Sequence, residues 1–429
     1  MKNLSFLMPI ILFIVIFSGC TYDSIEIDDQ VYTLVIGIDK GISNKVRVTV
    51  QFPTYKGGGG GTMEKKGGED SENAISGQVG NTIIETVEAP SILEGIDMIN
   101  STTTRRISLV HVKSAVFSEE LAREGIGNYL ETFARYRETR RTMQVIVCRG
   151  KAEDYIKESK TNIGESISKA IDLLYGQSSN TGFFPHAPFY KFYSSTLSPY
   201  GQAYSIYAGV NSLKNIPEEQ MYDSNLLITQ PGYIAGNMPK KGGIKIELQG
   251  TAIFKGDKMV GYLNGYETRY FLMVINQYKK GIITIEDKMV PGDVIPLDIR
   301  LGRDTKVKAS IKNGKPVIDV TITVEADIGA IQSKVEYEKH PLIDELNKQL
   351  EDVIKKGITD VITKTQNEFN ADIFGFGHKI SRSFFTIQEF EQYNWLEHYK
   401  DAEINVDVIA NVRRTGLMFS SENSKFRGF

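Results

Sequence analysis

The sequence predicts an α+β (mixed α/β) protein of three consecutive domains, each a mainly antiparallel or mixed sheet packed with helices. Three observations predict it. Strand-like runs alternate with helix-period runs along the chain, the pattern of sheets covered by helices. The dipeptide Asn313-Gly314, a strong short-range hairpin signal, stands between two alternating runs late in the chain. A length of 429 residues, at roughly 150 per domain, suggests two or three domains, each with room for a substantial core.

The first segment is expected to be removed rather than folded. Leu4 to Phe17 is an apolar stretch of 14 residues, whereas a helix spanning a bilayer needs about 20. Lys2 precedes it and Ser18-Gly19 follows, the order of an export signal over residues 1–19. Cleavage before Cys20 would make a cysteine the first residue, the arrangement by which bacterial lipoprotein signals attach diacylglycerol through sulfur. Two acyl chains such as palmitate, at about 0.8 kcal/mol per buried CH₂, would hold the protein firmly to a membrane. Ordinary secretion with an incidental cysteine is the alternative. Cys148, in the apolar run MQVIVC, reads as a buried inert thiol, so no disulfide framework is expected.

The first domain is expected over residues 20–190. VYTLVIGIDK and GISNKVRVTVQF flank a Gly/Ser/Asn turn and read as a hairpin. Residues 56–81 then lose all apolar periodicity and become Gly-rich, predicting a flexible insertion with an end-to-end distance of roughly 30 Å. APSILEGIDMIN reads as a helix beginning near Pro90 and Ser91, and RRISLVHVKSAVFS alternates like a half-buried strand. SEELAREGIGNYLETFARY reads as helix, with Ser118 as N-cap and Glu119 and Glu120 in its first turn. TMQVIVCRG supplies the next strand; KAEDYIKESK and GESISKAIDLLYG supply two helices.

A middle domain is expected over 191–298, entered through residues 183–207, which carry nine aromatics and three prolines. These rings read either as packing between domains or as an aromatic recognition surface. IKIELQGTAIFKGDKMVGYL alternates around a turn at Lys255 to Lys258, and ETRYFLMVINQY follows as a short helix. In the C-terminal domain, 299–429, the second hairpin arm places Ile318, Val320, Ile322 and Val324 on one face. A long helix from Pro341 to about Phe369 carries a single apolar stripe that either covers the sheet or receives a partner helix. INVDVIANVRRTG closes the fold as a strand.

The function classes excluded are as informative as the elements. Net charge is −3, from 50 basic and 53 acidic residues, which gives no electrostatic case for nucleic acid. The basic run at 135–141 reads as a solvated helix end. His111, His186, His340, His378 and His398 lack metal-ligand spacing, so no metal or cofactor is implied. GGGGG lacks the Gly-Lys-Ser/Thr of a phosphate loop, and GFG at 375–377 reads as a sharp turn rather than a dinucleotide fingerprint. The pairs Asp28/Asp29 and Glu119/Glu120 are adjacent, in no fixed shared-proton geometry. The expectation is no enzyme and no catalytic residue, the open alternative being residues assembled only in space.

Several stretches taken in order resemble the Ger(x)C family, the lipoprotein C subunits of bacterial spore germinant receptors. They are Cys20, Tyr22-Asp23 and Glu26 ahead of GIDK at 37–40, RR at 105–106 with HVK, and SEELAREGI at 118–126. GTAIFKGDKMVG at 250–261, ADIFGFG at 371–377 with Trp395, and VRRTG at 412–416 follow. Tyr22 stands where the family usually has Trp, and the Gly-rich insertion is longer than usual. The resemblance implies a non-catalytic, lipid-anchored protein on the outer face of the spore inner membrane. It would act with two integral membrane subunits, A and B, in nutrient-triggered germination, and only Cys20 carries a role over. A lipid-anchored solute-binding protein of a transporter is the alternative reading.

Overall fold

The computed structural model describes residues 26–54, 78–79, 82–160, 166–212, 229–333 and 335–414. Cys20 with the expected signal over residues 1–19, almost all of the Gly-rich insertion and the last two residues of VRRTG lie outside the described residues. The architecture is α+β, with mixed sheets packed by helices, the class the sequence predicts.

The largest sheet is built on β2 (Val35–Lys40), β7 (Ser114–Ser118), β8 (Gln144–Arg149) and β9 (Tyr204–Val210), which lie side by side and parallel. Antiparallel strands extend it on both flanks. Beyond β2 come β3 (Val46–Pro53), β5 (Thr82–Ala89) and the two-residue β4 (Gln78–Val79). Beyond β9 come β10 (Ile246–Lys255) and β11 (Lys258–Leu263), making nine strands in all. A short parallel pair, β1 (Gln30–Tyr32) with β6 (Arg106–Ser108), stands beside it.

Helices cover both faces of this sheet. On one face α1 (Ile92–Asn100), α2 (Glu119–Glu124), α3 (Gly127–Arg135) and α6 (Phe189–Thr196) bury Ile96, Leu121, Leu130 and Phe192 with Val145 and Val147. On the other, α4 (Ala152–Glu158) and α5 (Ile167–Gly176) bury Ile156 and Ile171 with Val116 and Ile146. Every residue of β7 is therefore buried, whereas its alternation predicts a half-buried strand. A parallel strand between two helical layers has no wet face. Two features start α1 and α2 as expected: the Ser91 and Ser118 side chains accept from the backbone N–H of Glu94 and Leu121.

Residues 118–136 form two helices, not one. Gly125 has φ 124°, outside the helical region, and the N–H groups of Ile126 and Gly127 turn away to the carbonyl and side chain of Asp257 at 3.0 and 3.1 Å. The aromatic passage packs on both sides: Phe184, Phe189, Phe192 and Tyr207 are buried in the cores of this sheet, whereas Tyr204 is buried in the core of the C-terminal sheet and Tyr200 packs against it. Among its nine rings Tyr190 alone is exposed.

The second large sheet has the order β12 (Lys280–Glu286), β13 (Val294–Lys312), β14 (Lys315–Ile328) and β15 (Glu403–Arg414). The β13–β14 hairpin turns at Asn313 and Gly314, both left-handed with φ 50° and 78°, as the primed two-residue turn requires. Ile318, Val320, Ile322 and Val324 are all buried beneath α8 (Leu342–Lys364), which runs on through a π turn, Thr365–Phe369. The apolar stripe of α8 covers the sheet. Among the described residues, 191–298 have no sheet of their own, since β9 to β11 complete the first sheet and β12 edges the second.

Candidate functional site: a joint between the two sheets

The only residue with a sequence-assigned role, Cys20, lies outside the described residues. Among the described residues no group of three or more His, Cys, Asp or Glu could hold a metal ion, and no helix is long and apolar enough to cross a membrane. Cys148 is fully buried, and burial pushes its thiol well above the ordinary range, which removes the reactive thiolate. What the fold does bring together is four separated stretches of chain at the joint between its two large sheets.

The centre of the joint is the β10–β11 hairpin. Its turn residue Asp257 caps α3 from a distance, taking the two N–H groups that the break after Gly125 leaves free. A Cβ on Gly127 would lie 2.8 Å from Asp257 Oδ2, so a side chain there would push the hairpin away. On the opposite side Gly256 donates to Gln202 Oε1 at 2.7 Å, and Gln202 N–H donates to the carbonyl of Asp372 at 2.7 Å. The chain of bonds thus runs from the first helical layer through the hairpin to the C-terminal unit.

Asp372 organises the far side. Its Oδ1 accepts from the N–H of Phe374 at 3.0 Å and Gly375 at 2.9 Å, and its Oδ2 from Gly377 N–H at 3.0 Å and Trp395 Nε1 at 2.8 Å. Gly375, with φ 74°, lets the turn fold back on that carboxylate. Burial pushes the Asp372 carboxyl up to about 6, against the opposing pull of these hydrogen bonds, Trp395 first. A Cβ on Gly377 would meet the Tyr200 carbonyl at 2.2 Å and Trp395 Cδ1 at 2.5 Å, so glycine is what allows the turn, residues 200–202 and the tryptophan to close. Tyr200 stacks between His378 and Phe390, and Phe374 meets Phe271 edge-on. Lys255 of the hairpin pairs with Glu397 at 3.5 Å, a contact at the wet rim worth little alone.

Asp372 accepts from four N–H donors and so ties the turn at 375–377 to Trp395. Sequence reading anticipated the turn at 375–377 but not Asp372, Trp395, Asp257 or Gln202 as partners. Only the glycines, which demand close approach of backbone, hinted that something packs there.

Comparison with known proteins gives these stretches a context. The family profile "Spore germination protein N-terminal domain" matches residues 23–209, and "Spore germination B3/ GerAC like, C-terminal" matches residues 249–416. The YfkR protein of Bacillus subtilis (strain 168) is 24% identical over 419 residues, covering 96% of either chain. Spore germination protein KC of the same organism is 24% identical with 97% of either chain covered, and spore germination protein GerQC of Bacillus cereus is 23% identical, covering 93% of this chain and 95% of its own. A crystal structure of the GerBC protein aligns at TM-score 0.48 and 17% identity, covering 88% of this chain and 96% of that one. With the SEELAREGI, GTAIFKGDKMVG and ADIFGFG stretches meeting at one joint, and two spore germination profiles following one another along most of its length, the chain belongs to the Ger(x)C family of spore germination proteins.

Proposed function

We propose that the chain is the membrane-anchored lipoprotein subunit of a nutrient-sensing germinant receptor. A diacylglyceryl group on Cys20 holds it to the outer face of the spore inner membrane, where it acts with two integral membrane subunits, A and B, to trigger germination. It contributes assembly and signalling, not catalysis. The joint is the observation that carries this reading. Stretches that resemble the family lock two sheets into one body, the requirement of a subunit that presents a fixed surface to its partners. Anchoring confines that body to the membrane plane and raises its effective concentration beside the other subunits. The alternative, a lipid-anchored solute-binding protein, needs two lobes free to close on a cleft, and the bonds through Gln202 and Asp372 oppose such a hinge.

Cys20→Ala tests the anchor. The variant should leave the membrane fraction, take up no fatty-acid analogue and weaken the germination response. An unchanged membrane fraction with an intact response overturns the proposal. Co-purification from detergent-solubilised spore membranes through a C-terminal tag should bring down two polytopic membrane proteins. Recovery of the labelled protein with transporter components instead would favour the solute-binding reading.

A further inference from the structure

A cavity of about 620 Å³ opens at the N-terminal ends of β7 and β8, walled by α5 and by the segment that follows α7 (Gly265–Val274). Its volume lies within the 300–1,000 Å³ typical of small-molecule sites. Five separate chain segments line it, so it exists only in the folded chain. Its walls are held in place. Gln277 accepts from His186 N–H at 3.2 Å and donates to the Tyr204 hydroxyl at 2.9 Å, Gln144 accepts from Ala187 N–H at 2.9 Å, and Tyr175 donates to Ser114 at 2.7 Å.

The charge in this cavity is lopsided. Lys113, Arg140 and Lys279 line it, with His111 and His186, against a single carboxylate among the described residues, Asp172. Asp172 is already taken by Lys113 at 2.8 Å. Arg140 and Lys279 make no ion pair among the described residues. Burial, then Arg140 and Lys113, hold the His111 imidazole below its ordinary range; burial and Lys191 do the same to His186. Each ring is therefore a neutral hydrogen-bonding group at pH 7, set in a positive field. Cations gathered on a concave wall attract a counter-charge more strongly than the same groups spread on a convex surface.

We propose that this cavity is a binding site for a small organic anion, whose carboxylate or phosphate group is taken by Arg140 and Lys279 with the two histidines completing its hydrogen bonds. Arg140 supplies the planar fork that suits either oxyanion, and Lys279 a point charge. The proposal does not depend on the anchor or on the receptor reading.

The test uses the full chain in detergent with ¹³C-labelled histidine, followed by NMR. Inorganic phosphate and succinate are titrated separately, with sodium chloride at matched ionic strength as reference. A bound anion should raise the His111 and His186 pKa by about half a unit or more through its charge. Arg140→Gln with Lys279→Gln should weaken that response about tenfold or more. Both positions are exposed, so these substitutions leave the core intact. A response to phosphate alone identifies a phosphate-bearing ligand, one to succinate alone a carboxylate, and either supports the site. The same shifts with chloride, or shifts that survive in the double variant, mean general screening and overturn it, as does silence with both probes.

Discussion

A carboxylate that accepts four N–H groups should ionise easily, yet Asp372 is held up at about 6 because burial outweighs those bonds. The sign of the pH effect follows. Between an unfolded value near 3.8 and a folded value near 6, the folded state keeps a proton that the unfolded state has lost, so stability falls as pH rises through that window. The loss is on the order of 3 kcal/mol. In Asp372→Asn nothing titrates there, and the new amide also sets N–H against N–H. The advantage of the native chain over this variant should therefore be larger at pH 4 than at pH 7, as thermal midpoints at the two values would show. An equal advantage at both would mean that Asp372 stays ionised throughout. Glu88 carries the opposite sign. Ser43, through its hydroxyl and then its N–H, Arg47 and Ile42 N–H hold its carboxyl down to about 2, and the loop at 42–44 closes on it. Its contribution is present above pH 4.5 and is lost as pH falls toward 2. Glu88→Gln should destabilise the protein at pH 7 and make little difference at pH 2, which urea titration at each pH would measure.

At the scale of elements, the meeting of α8 with α7 sets two general effects against each other. Gly357 lies inside α8, where alanine would ordinarily stabilise a helix by about 1 kcal/mol. Here the added Cβ would lie 2.3 Å from Tyr270 Cε2 and Cζ. Tyr270 is buried and its hydroxyl donates to Gln230 at 2.6 Å, so the ring has nowhere to swing. Overpacking of this kind costs about 1–3 kcal/mol and should win. Gly357→Ala is expected to lower the urea midpoint, whereas Gly357→Ala with Tyr270→Leu should recover part of the loss. The same two elements show what a sequence discloses. Period-2 alternation in β14 and the Asn313-Gly314 turn were legible because hairpin pairing is local. The parallel pairing of β14 with β15, Val320 beside Val406, was not, since the strands are separated by α8 and the joint, and nothing in either strand names its neighbour. Asp372 and Trp395 escaped for the same reason: they meet across 23 residues through one carboxylate.

At the scale of the whole molecule, the boundary expected from sequence at residue 299 crosses a single hydrophobic core. The core beneath α8 contains Ile318 to Val324 and Leu346 to Ile362, but also Phe271 and Leu272 of α7, Ile283 and Ile285 of β12, and Ile295 and Leu297 at the start of β13. Composition could not reveal this, because β12 lies before the boundary and pairs with β13 across it. Two fragments separate the possibilities. A chain of residues 299–414 would lose β12 and α7, leaving β13 with an unpaired edge and α8 with its Tyr270 contact open. Exposed strand edges and apolar surface of that kind favour association. A chain of residues 265–414 keeps the four-stranded sheet, α7 and α8 together. The longer fragment should show one cooperative urea transition and dispersed amide resonances; the shorter should aggregate or bind a hydrophobic dye without a cooperative transition. Equal cooperativity in both would place the folding boundary at 299 and reduce α7 to a surface contact. Even the longer fragment leaves Gln202, Gly256 and the β10–β11 hairpin behind, so it should be less stable than the same unit in the full chain. That deficit, read as the gap between their midpoints, measures what the joint contributes to holding the molecule as one body.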